Sequence, residues 1–400
     1  YSGVGFGACA RLLVQFSDPT PSDTLGSNPA LANPDDEPLA SPFAAPNGIV
    51  LIMGCRNAIK AHKARQKLQN ILDHLALLPD DAPTPVDLPS HFMDPVHVDL
   101  LSTDDDVDSA TLQSAAQASL RRRRQRSAQV LAAVKGLASE EEELLADVPQ
   151  QQPLLFKQAN IKARGIYRRR FCVKTTIAIQ PLDLGSMASV LKSAQEIIER
   201  HHYVTHAILN AGLAVWQGLN WPLAIWQMMT SFRTAVTWPK YKRQRAGDLG
   251  ADGYGWVWQC NVAAHYVLVR ALLPAFRATP FKEPSRIVWT GSIEAYERYY
   301  HPEDYQCLDP IKSGPTYEST KYQCELLGLG LDERLRSEHV KTLPGTPMGE
   351  APPAALSQVE PRSYISHPGV VASSMFEDYL GWVLVLALKL VFYLARWVLS

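Results

Sequence analysis

The sequence has almost no net charge. Lys plus Arg total 39 against 40 Asp plus Glu, a formal charge of −1, so the bulk attraction for polyanions on which nucleic-acid binders rely is missing. The six cysteines (Cys9, Cys55, Cys172, Cys260, Cys307 and Cys324) show no C-x-x-C or metal-like spacing. That argues against a disulfide scaffold and for a reducing compartment, with the thiols serving as core fillers. No signal-peptide pattern is visible. Proline, by contrast, is plentiful: 29 residues, many of them in stretches that read as loop insertions.

Between those stretches the pattern alternates. Ile49–Gly54, Thr175–Ile179, Val204–Leu209 and Arg286–Thr290 are short apolar runs of the length expected for buried parallel strands. Ala8–Phe16, Ala58–Leu77 and Met187–Arg200 read as helices, the last with apolar residues at 187, 190, 191, 194, 197 and 198. A further helix lies within Ala251–Leu273, another runs from Lys321 to about Arg336, and a late strand and turn lie near Tyr364–Gly369. Strands alternating with helices predict an α/β, Rossmann-like doubly wound parallel sheet. Segments 17–47, 79–173 and 213–250 interrupt it and read as insertions. The first is polar and proline-rich, and the second carries an arginine run (121–124, 126) and a glutamate run (140–143). Such charge blocks are usually solvated helix faces or disorder, and a nuclear-localisation role rests on the motif alone.

Tyr317-Glu318-Ser319-Thr320-Lys321 places a phenol and an amine four residues apart, hence on one face of a helix. An ammonium beside a phenol stabilises the phenolate and lowers a pKa that is otherwise near 10. Alone, the spacing is equally that of a surface helix. Three other pieces accompany it in order: Ser2-Gly3-Val4-Gly5-Phe6-Gly7 before the first helix, Asn210-Ala211-Gly212 at a strand end, and Ser292 just past another strand. With Tyr317 and Lys321, this set resembles the short-chain dehydrogenase/reductase family over roughly residues 1–16, 48–75 and 175–375. A narrower likeness, to fungal 3-keto-steroid reductases of ergosterol synthesis, is carried by Leu219–Trp226, Ala235–Pro239 and Gln259–Tyr266.

The resemblance implies roles. Tyr317 is the general acid, Ser292 a hydrogen-bond donor to the substrate carbonyl, Asn261 the holder of a relay water, and Lys321 the group that tunes Tyr317 and binds the nicotinamide ribose. Gly3, Val4 and Gly5 would carry backbone past a pyrophosphate at a helix N-terminus, and Asn210 would line the cofactor site. Arg56 follows the second strand where an acid would favour NAD, so the cofactor is expected to be NADP(H), with Arg56, or Lys60 or Arg65, on the 2′-phosphate. Asp183 matches the adenine-edge residue, with Asp99 a competitor. Val370 sits in a Pro-Gly turn beside the nicotinamide, and Ser373 matches a carboxamide or phosphate contact. The family pattern Thr-Gly-x-x-x-Gly-x-Gly follows a first strand, whereas the chain opens inside that pattern with Tyr1. The chain thus reads as a fragment or a mis-started sequence, with a sheet weakened by the absent strand. The interval from Tyr296 to Pro315 reads as a substrate loop whose tyrosines have no lysine four residues later.

Six of the nine tryptophans lie between Trp216 and Trp258, which suits a sterol pocket, a membrane-facing lid or a packed helical hairpin. Tyr379–Leu399 is nearly continuous apolar sequence, about one bilayer long, broken by Lys389 and Arg396. The expected layout is a reductase domain over 1–375 and a membrane-associated helix over 376–400. The resemblance implies 3-keto-sterol reduction at the endoplasmic reticulum membrane, catalytic side to the cytosol, beside other sterol C-4 demethylation enzymes and with no nucleic-acid partner. Another lipid carbonyl as substrate, or a non-catalytic scaffold, are the alternatives.

Overall fold

The computed structural model describes residues 3–19, 45, 47–85, 88–94, 153–281, 283–342, 360–369 and 390. Two compact units emerge. One comprises Phe6–Met53 and Ala58–Ile179, the other Ser2–Gly5, Gly54–Asn57 and Gln180–Ser400.

The first unit is built from helices α1 (Val4–Phe16), α2 (Ala58–Ala76) and α3 (Pro153–Lys174), with most of strands β1 (Val50–Cys55) and β2 (Thr176–Pro181). Leu68, Ile71, Leu72 and Leu75 give α2 a buried stripe at helical spacing. Arg168 of α3 is buried and donates to the carbonyls of Ala82 (3.0 Å), Leu78 (3.1 Å) and Pro79. Three carbonyl acceptors make its burial tolerable.

β1 and β2 form a two-stranded sheet. The Thr176 N–H donates to the Ile49 carbonyl (2.9 Å) and the Leu182 N–H to that of Cys55 (3.2 Å). The offset is the same at both ends, so the strands run parallel.

The second unit holds a three-stranded parallel sheet in the order β3 (His206–Leu209), β6 (Arg286–Thr290), β7 (Arg362–Ser366). Ile287 and Trp289 of β6 are fully buried, and the Trp289 indole donates to Ser363 Oγ on β7 (3.1 Å). Around this sheet lie α4 (Met187–Arg200), a three-residue helical turn α7 (Trp256–Trp258), a π-turn (Gln259–Ala263), α8 (Ala264–Arg277) and α9 (Thr316–Thr342). α4 packs on α8, and α9 on β6 and β7. Asp332 of α9 pins β7 by accepting from Arg362 Nε (2.8 Å) and the Ser363 N–H (3.0 Å).

Three expectations need correcting. The α/β character holds, but the parallel strands form two sheets, not one doubly wound sheet. Among the described residues β1 and β3 each pair on one edge, so no ladder joins them. Second, the helix expected from Ala8 starts at Val4, which puts Gly5 and Gly7 in its first turn instead of a loop. Third, the 213–250 insertion contains an antiparallel ribbon, β4 (Trp216–Leu219) with β5 (Lys242–Gln244), bracketing α5 (Trp221–Thr230) and α6 (Phe232–Thr237). Among the described residues no helix is long and apolar enough to cross a membrane. Tyr379–Leu399 lies outside those residues except for Leu390.

Candidate active site

Apart from Lys60 and Arg65, the described site candidates fall in the second unit, which gathers three separate stretches of chain. Tyr317 and Lys321 share a face of α9, as their spacing requires. Lys321 is buried and its Nζ donates to the Thr290 carbonyl at the end of β6 (2.8 Å). Nζ lies 5.8 Å from the centre of the Tyr317 ring. Ser292, two residues beyond β6, is hydrogen-bonded to Tyr317, and its Oγ accepts the Glu294 N–H (3.2 Å).

Asn261 sits in the π-turn, a helix irregularity often found at functional sites. Its Oδ1 accepts the Leu213 N–H (2.8 Å), while its Nδ2 donates to the Leu213 carbonyl (2.9 Å) and to Thr320 Oγ1 (3.0 Å). This amide clasps the chain leaving Asn210-Ala211-Gly212 and ties it to α9. A Cβ on Gly212 would stand 3.3 Å from Asn261 Oδ1 and 3.8 Å from Lys321 Nζ, so the glycine keeps these groups close.

Among the cofactor candidates, Gly5 is met by Asn210. A Cβ there would lie 2.7 Å from Asn210 Nδ2, closer than real Cβ contacts come. Gly3 has φ +150°, in the range that favours glycine. Val4 begins α1. Asp183 closes the turn before α4, its Oδ1 accepting the Gly185 N–H (2.9 Å). Arg56 is exposed just after β1, and its charge and that of Asp183 both reach the Cys260 thiol. Lys60 and Arg65 lie on α2 in the other unit. Val370, Ser373 and Asp99 lie outside the described residues.

The electrostatics depart from expectation at Tyr317. Its pKa is pushed up to about 12, first by burial and then by the Glu294 and Glu318 carboxylates, with the Ser292 hydrogen bond opposing. The expected lowering by Lys321 does not govern it. Burial instead lowers the pKa of Lys321 itself, opposed by Cys324 and Glu325.

Several residues of this site escaped the sequence reading. Lys242, from β5, lies 2.5 Å from Glu294 Oε1 and 3.5 Å from Glu318 Oε1, all three largely buried. Gln244 donates to Glu318 Oε2 (2.5 Å) and accepts the Tyr317 N–H (3.0 Å). Trp216 packs tilted against the Tyr317 ring, centroids 6.4 Å apart. Glu318 stood inside the Tyr-to-Lys pentapeptide and Glu294 two residues past Ser292, so both were visible as carboxylates. Nothing local marked Lys242.

The loop from Tyr296 to Pro315 is ordered by Asp304, which accepts the Leu308 and Asp309 N–H groups (both 2.9 Å) and the Ser313 hydroxyl (2.7 Å). A cavity of about 570 Å³ opens beside Tyr254, Trp258, Tyr266, Tyr300, Tyr305 and Leu326, without Tyr317 or Ser292 in its wall.

No family model matches the chain. Curated proteins do. The 3-keto-steroid reductase erg27 of Aspergillus fumigatus is 30% identical over 236 residues, 56% of this chain and 51% of that protein. The chain is similar to fungal 3-keto-steroid reductases. The 3-keto-steroid reductase of Kluyveromyces lactis is 29% identical over 217 residues, 54% of this chain and 55% of its own. The one from Gibberella zeae is 33% identical over 205 residues, 48% and 41% respectively. The chain thus spans about half the length of the curated relatives it matches. Among solved structures, the RhlG/NADP active-site complex from Pseudomonas aeruginosa is 20% identical over 44% of this chain and 55% of its own, with a TM-score of 0.27.

Proposed function

We propose that this chain is the catalytic region of an NADPH-dependent reductase that converts a 3-keto-sterol to the 3β-hydroxysterol. The observation that carries the reading is the joining of Ser292 and Tyr317 with the buried Lys321 and Asn261 in one cluster, in a chain similar to 3-keto-steroid reductases. A phenol held protonated by its surroundings suits proton donation, and hence reduction.

The residues fit the dinucleotide. Gly5 and Asn210 approach at a distance no side chain would allow, and Arg56, exposed after β1, would pair with a 2′-phosphate. When bound, NADPH supplies the hydride. The chain supplies the rest. Ser292 donates a hydrogen bond to the substrate carbonyl oxygen, Tyr317 gives it a proton, and Lys321 holds the ribose and helps to reprotonate Tyr317. Asn261 fixes the loop at Leu213 and takes part in the proton relay. By the same reading, Val370 and Ser373 would contact the nicotinamide. Residues 376–400 attach the protein to the endoplasmic reticulum membrane, with the catalytic side facing the cytosol among the other sterol C-4 demethylation enzymes.

The test follows NADPH oxidation by membranes carrying the protein, with a 3-ketosterol as substrate. Turnover should fall by about 10²–10⁴-fold in Tyr317→Phe, the usual worth of a positioned acid. An unchanged rate in that variant removes the acid assignment. NADPH binding without sterol turnover moves the substrate to another lipid carbonyl.

A further inference from the structure

Helix α5 is built inside out. Its buried residues are Ala224 and Gln227, while Trp221, Ile225, Trp226 and Met229 face solvent, Trp226 at 68% and Met229 at 82% exposure. At 100° per residue, Trp221, Ile225, Met229 and Trp226 fill one continuous arc. Gln227 explains the inversion. Its Nε2 donates to the Trp238 carbonyl (2.9 Å) and its Oε1 accepts the Lys240 N–H (3.0 Å), closing the chain after α6. The polar side chain thus works inward, and the helix has its large apolar groups left over. Phe232 at the start of α6 extends the patch.

The charge carried by this stretch of chain has one sign. From Arg200 to Gly247 there is no aspartate or glutamate, whereas Arg233, Lys240, Lys242, Arg243 and Arg245 fall within it. Lys242 is engaged with Glu294 and Glu318, and Arg245 with Asp248. Lys240 and Arg243 are exposed. We propose that α5 and α6 form a docking face for a phospholipid bilayer containing anionic lipid, with Trp221, Ile225, Trp226, Met229 and Phe232 lying at the boundary of headgroups and acyl chains. Tryptophan favours that depth, and cations beside an apolar helix face suit an anionic surface. A second copy would bring like charges together and is disfavoured on that ground.

The face is tied to the candidate site at its base. Trp216 at the start of β4 packs on Tyr317, and Gln244 at the end of β5 holds the Tyr317 backbone. Trp238, just after α6, stacks on Tyr296 with centroids 5.2 Å apart and is covered by Arg298 at 3.7 Å. A lipid leaving the bilayer at α5 would therefore arrive beside Tyr317. That delivery rests on the function proposed above; the docking does not.

The experiment uses the full chain with Met229→Cys carrying an environment-sensitive NBD label, mixed with phosphatidylcholine vesicles with and without phosphatidylserine. Docking predicts brighter, blue-shifted emission with the anionic vesicles, quenching by lipids brominated on the acyl chain, and several-fold weaker signals after Trp226→Asp or Ile225→Asp. Unchanged emission from protein that sediments with the vesicles would overturn the proposal, because attachment would then lie elsewhere. A blue shift without lipid that grows with protein concentration would overturn it in favour of self-association. Turnover in detergent micelles, expected to survive Trp226→Asp, reads the chemistry separately, so failure of the reductase reading and failure of docking give different results.

Discussion

At the scale of single residues, the state of Tyr317 is set by its surroundings more than by the lysine one turn away. Burial and the two carboxylates hold the phenol protonated. A donor in that state gives a proton to a developing alkoxide, and the reverse, oxidative direction would first have to remove it. Lys242 is what permits the two carboxylates to lie there at all: removing a lone partner from such a buried group costs about 3–5 kcal/mol. Burial raises the pKa of Glu294, with Lys242 opposing. Glu294→Gln leaves Lys242 with Glu318, so the fold should tolerate it, and Tyr317 loses one of the charges that raise its pKa. The high-pH limb of the kcat profile for ketosteroid reduction should therefore move to lower pH. A limb that stays in place or moves up would show that Glu294 does not act on Tyr317. The Tyr317–Lys321 pair was legible because helical geometry alone joins residues four apart. Lys242 was not, because β4–β5 pairing brings it to Glu318 across more than seventy positions of sequence.

At the scale of elements, legibility followed burial. α4 and β6 each bury one face, and their apolar spacing announced them. β5, with the sequence Lys-Arg-Gln, and β4, Trp-Gln-Gly-Leu, carry no such pattern, since their partners are each other and the groups around Tyr317. The start of α1 was misread because two glycines in four residues argue against helix, while Gly5 is there for its closeness to Asn210. α8 offers a test. His265 is buried, and since the Asn261 carbonyl 2.9 Å away accepts, Nδ1 carries the proton. Burial lowers its pKa to about 4 from 6.5. The folded value lies below the unfolded one, so the contribution to stability is full above about pH 6.5 and is lost as pH falls through about 4. The amount is ~3 kcal/mol. Urea midpoints should drop across that window and flatten in His265→Gln; an equal drop in both proteins would place the acid sensitivity in other groups.

At the scale of the molecule, the sequence pattern predicted one doubly wound sheet, and the described parallel strands make two, beside the antiparallel β4–β5 ribbon. What survives this difference is the location of the site, because Ser2–Gly5, Gly54–Asn57 and everything from Gln180 onward belong to one unit. A ligand held by residues from all three stretches would join them, and its binding free energy adds to the stability of that unit. For NADPH at one hundred times its Kd the gain is about 2.7 kcal/mol. Arg56 is exposed, and in the proposed function it would pair with a 2′-phosphate, a group NADH lacks. Thermal unfolding should therefore shift upward more with NADPH than with NADH at equal concentration, and Arg56→Ala should remove most of the difference while leaving the shift common to both. If NADH stabilises as well as NADPH in the parent chain, Arg56 is not reading the cofactor. If neither shifts the transition, the close approach of Gly5 to Asn210 serves packing alone, and the reductase reading loses its cofactor.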